Sequence, residues 1–221
     1  MTSSNPPLSS SEAKNTRQKE IPDGVAPADV AHFASLPLSK PTFDDPSFKM
    51  IAMSRALTHN KRGHSLMAGT WNTPSTITHL LSFYRPASSP EHITSTIEQQ
   101  RAEVRRFYAF GTGLNAHPNL LHGGVIATIL DSTMGNVGGL CLRELSGDAK
   151  ASQVTAQLNV KFEKPVVTPG SVTVRAWVVR VEDGGRKMWI EGIVEGGTKG
   201  EVRHARAEGL WFRIKPGKGK L

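Results

Sequence analysis

One long apolar helix followed by strand after strand is the feature that most restricts this chain. From Gly123 to about Leu145, Val125 and Ile129 stand four apart, with Ile126, Leu130 and Met134 on a neighbouring row. The segment is apolar over most of its circumference, so it has to be buried. Beyond it, Val154, Ala156, Leu158, Val160 and Phe162 alternate with Thr155, Gln157, Asn159 and Lys161 at a period of two. Ser171 to Val181 reads as a Val-rich strand and Glu182-Asp183-Gly184-Gly185 as a hairpin turn. Arg186 to Glu195 and Glu201 to Ile214 follow, parted by a turn at Gly196-Gly197. Two strands precede the helix, Thr76 to Tyr84 and Val104 to Phe110. Such spacing implies an antiparallel meander with one apolar face to cover, and only the Gly123 helix is long enough to cover it. The expected class is α+β, an antiparallel sheet of five to six strands wrapped around one long buried helix.

Composition narrows the alternatives. At 221 residues, with 38% hydrophobic and 21% charged content, the chain suits one globular domain with extensions, or at most two small ones. No run of about 18 apolar residues occurs, so no membrane span is expected. The only cysteine, Cys141, can form no intrachain disulfide and matches no zinc spacing. A reducing compartment is expected, and neither a metal nor another cofactor is. The formal net charge of +8 admits an anionic partner. Its Lys and Arg are scattered with no tract of five, and RNA-type aromatic motifs are absent, so no nucleic acid is expected.

Four stretches follow from the pattern. Residues 1–27, rich in Ser, Pro and Asn, bury too little to offset their ordering entropy and are expected to be disordered. They lack the apolar core of a signal peptide, and Glu12, Glu20 and Asp23 argue against a transit peptide. Residues 28–70 form an extension, a lid or subdomain, in which Phe48 to Ala56 suggests a short helix or turn. The main domain spans 71–214, and 215–221 is a basic tail. Its end, Gly219-Lys220-Leu221, resembles the peroxisomal Ser-Lys-Leu address with Gly in place of Ser. A cytoplasmic location is expected, with a mitochondrial or peroxisomal one as the alternative.

Chemistry concentrates around the helix. Thr128, Asp131 and Ser132 make a narrow polar stripe on the apolar rod, and a carboxylate there is costly unless bonded. A structural reading has Asp131 at a rim, or accepting bonds from Ser132 and Thr128. His122-Gly123-Gly124 leads into the helix, where free N–H groups and the helix dipole suit a developing oxyanion. A glycine pair there lets a ligand approach the backbone closely.

Taken together, Leu121-His122-Gly123-Gly124-Val125-Ile126-Ala127-Thr128-Ile129-Leu130-Asp131 resembles the His-Gly-Gly signature of hot-dog acyl-CoA thioesterases. Thr155-Ala156-Gln157-Leu158-Asn159-Val160-Lys161-Phe162-Glu163-Lys164-Pro165 is similar to the next strand of that family, above all in its THEM-type mitochondrial branch and related fungal proteins. The resemblance covers about residues 75–214. It implies a hot-dog fold and hydrolysis of an acyl-CoA or acyl-carrier-protein thioester. Backbone N–H groups of Gly123 and Gly124 would polarise the carbonyl. Asp131 would be general base or nucleophile, assisted by the Thr155 hydroxyl. His122 would fix the loop. Lys161 and Lys164 would meet coenzyme A phosphates, with Asn119 as a further substrate contact. The fungal likeness implies lipid or polyketide metabolism, with release of a fatty-acyl or polyketide intermediate.

From Gly123 to Asp131 the helix advances about 12 Å and turns about 800°, which separates the two groups along the axis and rotates them off one line, so one chain does not easily join both. Family members pair protomers to do so, which implies a homodimer, and a tetramer as its further pairing. Two features depart from the pattern. Ala116 stands six residues before His122, where many relatives carry Asn or Gln, and neither Asn115, His117 nor Asn119 is in register. Thr155 falls on the polar phase of its strand, which by alternation faces solvent. Two alternatives stay open, a hot-dog dehydratase or hydratase acting on acyl thioesters and a non-catalytic acyl-CoA-binding protein.

Overall fold

A computed structural model describes residues 21–52 and 63–214. Residues 1–20 of the expected tail 1–27, residues 53–56 of the 48–56 segment and the 215–221 tail with its Gly219-Lys220-Leu221 address lie outside the described residues.

In chain order the elements are α1 (Pro27–Ala34), α2 (Lys40–Asp44), β1 (Lys49–Ile51), β2 (Ile77–Arg85), β3 (Glu103–Phe110), the short pair β4 (Asn115–His117) and β5 (Leu120–Leu121), α3 (Gly123–Ser146), β6 (Gln153–Phe162), β7 (Gly170–Glu182), β8 (Lys187–Gly196) and β9 (Val202–Arg213). Seven strands form one antiparallel sheet in the order β1-β2-β3-β7-β8-β9-β6, and α3 lies across its inner face. This is the hot-dog arrangement. All six expected strands are present. The seventh, β1, occupies part of the segment where a short helix or turn was expected, because Lys49–Ile51 finds an open edge on Ser82–Tyr84.

Two end signals bound α3. His122 caps its start, its side chain accepting from Gly124 N–H, and Gly147 ends it at φ 64°, a left-handed position that glycine adopts without penalty. Ile129, Leu130, Met134 and Val137 are fully buried against the sheet, each apolar side chain contributing about 1.5–3 kcal/mol. Close approach is built in at Gly192 of β8, where a Cβ would come within 2.9 Å of the Met134 sulfur. By length and composition α3 could cross a membrane, with a window of mean hydropathy 1.4, yet it serves as the core helix of this sheet.

The outer face of β2 and β3 is also covered. Phe33 of α1 and Phe48 before β1 pack with Leu81, Phe83 and Phe107. His79 of β2 stacks on His32 at 4.1 Å and meets Asp29 at 2.8 Å. Beside this apolar cover, buried Glu103 accepts from Arg85 at 2.9 Å, Arg105 at 2.7 Å and Arg175 at 2.8 Å.

Candidate functional site

The polar stripe of α3 faces a groove of about 560 Å³ running from Thr128 and Asp131 past Ser132, Gly135 and Gly139 to Arg143. Leu66 and Met67 wall it on one side, and Ser152 to Thr155 of the β6 end on the other. Glycine spacing shapes this wall. A Cβ at Gly138 would meet Gln153 Nε2 at 2.2 Å, so its absence lets the Gln153 amide reach Gly135 O at 3.0 Å.

Asp131 and Thr155 meet directly, Thr155 Oγ1 donating to Asp131 Oδ1 at 2.7 Å. The alternation argument misplaced Thr155 for a physical reason. Pairing with β9 runs Thr155 to Trp211 and then Gln157 to Leu210, so Ala156 is an extra residue in the ladder. That bulge reverses the phase of everything before it. Thr155 therefore shares the inner side with buried Trp211, while Val154, expected to point inward, is 51% exposed. Neither Thr128 nor Ser132 bonds Asp131 as the structural reading had it. Thr128 donates to Gly124 O at 2.8 Å, and Ser132 accepts from Arg106 at 2.8 Å.

At the other end of α3, His122 Nδ1 accepts from Gly124 N–H at 2.8 Å. This requires a neutral ring with its proton on Nε2. The Gly124 N–H is thereby engaged, whereas Gly123 N–H has no acceptor among the described residues. The ring of Phe162, at the far end of β6 and 54% exposed, lies against Gly123. One chain thus holds two half-sites, Asp131 with Thr155 and Gly123 with Phe162, at opposite ends of β6.

The remaining predicted residues lie elsewhere. Asn119 is exposed in the β4–β5 turn at φ 59°, its carbonyl accepting from Thr168 N–H at 2.9 Å. Lys161 lines a different groove on the outer face of the sheet, with Arg203 and Arg206. Lys164 is exposed just beyond β6. Ala116 is exposed on β4, and Asn115 is occupied as an acceptor for Thr168 Oγ1 at 2.6 Å. Cys141 is buried in the core, where desolvation pushes its thiol up to about 12, so it supplies no thiolate near neutral pH. Among the described residues no group of three or more His, Cys, Asp or Glu is placed to hold a metal.

Sequence reasoning passed over Arg106. It is fully buried on the inner face of β3, directly behind Ser132 and Asn136. A signal was present. Arg105-Arg106 sit inside a strand flanked by Val104 and Phe107, so alternation sends one of the two toward the helix.

Against known proteins, residues 118–195 match the family model described as thioesterase superfamily. The acyl-coenzyme A thioesterase THEM4 of Rattus norvegicus is 30% identical over 120 residues, which is 53% of this chain and 47% of that protein. The chain therefore spans about half the length of that relative. The verlamelin biosynthesis protein B of a Lecanicillium species is 26% identical over 172 residues, 68% of this chain and 73% of that one. Among solved structures, a Bacillus halodurans protein crystallised with CoA is 31% identical, covering 51% of this chain and 66% of its own, at a TM-score of 0.41.

Proposed function

We propose that this chain, whose residues 118–195 match the thioesterase superfamily model, hydrolyses an acyl thioester to a carboxylic acid and a free thiol. The observation that carries this reading is the Thr155–Asp131 hydrogen bond at the groove. It fixes one carboxylate oxygen and leaves the other open to the groove. In the proposed reaction that oxygen takes a proton from water as the water oxygen bonds to the thioester carbonyl carbon. The carbonyl oxygen becomes an oxyanion beside the unengaged Gly123 N–H at a helix N-terminus. Collapse breaks the C–S bond, and the departing sulfur receives the proton held by Asp131. Gly124 joins the oxyanion hole only if His122 turns away from it.

A homodimer is the assembly in which these half-sites meet. Strand β6 is a sheet edge, ten residues long and exposed along most of its length, the kind of edge that templates pairing. Thr155 and Phe162 lie seven residues apart, about 24 Å along a strand. Antiparallel pairing of two β6 strands about Leu158 and Asn159 sets the Thr155 end of one beside the Phe162 end of the other. Each carboxylate then faces the glycines of the second copy. Acyl-CoA is the proposed substrate form, in line with the similarity to acyl-coenzyme A thioesterases.

Thiol release from short, medium, long and aromatic acyl-CoAs tests this, with Asp131→Asn alongside. Expected is turnover that falls about a hundredfold or more in the variant, the size of a general-base contribution. Turnover unchanged in the variant would remove Asp131 from the mechanism. Mixing Asp131→Asn with a Gly123→Pro chain should restore part of the activity if sites are shared between copies, and none if each chain works alone.

A further inference from the structure

Arg106 carries a permanent positive charge into the interior at 0% exposure. Its nitrogens donate to Ser82 Oγ at 2.9 Å, Ser132 Oγ at 2.8 Å, Asn136 Oδ1 at 3.2 Å and Tyr108 OH at 3.4 Å. All four acceptors are neutral. A buried charge without a counter-charge is costly to keep, and it favours negative potential brought beside it.

Ser132 is the group through which that potential reaches the groove. On the same helix, Thr128, Thr133 and Ser146 each donate back to a carbonyl four residues earlier, at 2.8, 2.7 and 2.7 Å. Ser132 does not. Its oxygen accepts from Arg106, and its hydroxyl hydrogen has no acceptor among the described residues, although it lines the groove next to Asp131. A charge-assisted bond into that oxygen polarises the O–H and strengthens it as a donor.

We propose that Ser132, backed by Arg106, recognises an oxygen on the acyl chain, so that the substrate class is a 3-oxo- or 3-hydroxyacyl thioester and not a saturated one. This rests on the hydrolase reading above. Position follows from spacing. Ser132 adjoins Asp131, with Cα atoms about 3.8 Å apart. The carbonyl carbon under attack lies one water molecule from Asp131, so an oxygen within reach of Ser132 sits on the first few carbons beyond it. A saturated chain in that place displaces water from a strong donor and offers nothing in return. Asn136, Gln153 and Arg143 continue the polar wall beyond Ser132.

The test compares kcat/KM for octanoyl-, 3-hydroxyoctanoyl- and 3-oxooctanoyl-coenzyme A, in the parent, Ser132→Ala and Ser132→Thr. At least one oxygenated ester is expected to exceed the saturated one by about tenfold or more, the discrimination of a site built to bond a substrate oxygen. Ser132→Ala should bring that ratio to within about twofold of unity, and Ser132→Thr, which keeps the hydroxyl, should preserve it. The two oxygenated esters separate hydroxyl from oxo recognition. Equal turnover of all three by the parent, or an equal loss on all three in Ser132→Ala, overturns the proposal and leaves hydrolysis standing. Release of thiol from none of them removes both.

Discussion

Arg105 and Arg106 are consecutive residues of β3, point to opposite faces of the sheet, and solve the problem of a buried guanidinium in opposite ways. On the outer face Arg105 and Arg175 share Glu103, while Glu98 accepts from both at 2.9 and 2.5 Å. The ring of Phe48 lies 4.4 Å from the Arg105 guanidinium carbon. Every charge there has an opposite neighbour. Burial pushes the Glu103 carboxyl up, but the hydrogen bond and charge of Arg175, with those of Arg105, more than offset it and hold it below its ordinary value. On the inner face the partners of Arg106 among the described residues are hydroxyls and an amide. Balanced charge fastens β2, β3 and β7 to one another and to the loop that carries Glu98. Unbalanced charge leaves the groove side prepared for something that is not part of the chain.

The sharpest way to break this contrast is Glu103→Gln. It removes the shared carboxylate from under three arginines, and urea unfolding should show a loss of about 3–5 kcal/mol, the cost of opening a buried ion pair. A loss below about 1 kcal/mol would mean that the outer cluster fastens nothing. Arg106→Met should cost less, about 2 kcal/mol at most. It deletes a charge that has no partner to orphan, and the hydroxyls of Ser82 and Ser132 can rotate to other acceptors. An effect equal to that of Glu103→Gln would make Arg106 a fastening too. Acid melts give the smallest effect, in two separable windows. His32 is held below its ordinary 6.5 by burial and by the neighbouring His79. The unfolded chain therefore takes its proton first, and the stability from keeping it neutral, full above about 6.5, declines as pH falls from there. Glu103, held below 4.5, contributes fully above that value and is lost as pH falls through its lower folded value. The first decline should vanish in His32→Gln and the second in Glu103→Gln.

The same two faces differ in how far they could be read from residues alone. The inner face follows from local periodicity. The α3 pattern from Gly123 to about Leu145 matches the observed Gly123–Ser146, and six strands lie where alternation and turn chemistry put them. The outer cover was illegible because Phe33 and Phe48 find Phe83 and Phe107 only across a long sequence separation, and no period announces such contacts. One hint was available, since Val104, Phe107, Tyr108, Ala109 and Phe110 are apolar on both phases of β3, which demands a second covering layer. At the site, Asp131, His122 and the glycines were legible from their motif. The inward turn of Thr155 was not, because a bulge adds a residue without any mark in the pattern. Arg106 was hidden for the opposite reason, a charge inside a strand being read first as surface.

Placement of α3 ahead of most of its covering strands has a consequence in time. The helix packs against β7, β8, β6 and β9, all of which follow it, and against β3, which precedes it. A ribosome working at about 5–20 residues per second releases this 24-residue apolar segment several seconds before Arg213 closes the last strand. During that interval the segment has the length and hydropathy of a membrane span and only part of its eventual sheet. The β2–β3 pair is already present, and pairing of the β7–β8 hairpin, turned at Asp183–Gly185, onto β3 is the step that gives the helix the larger part of the surface it lies on.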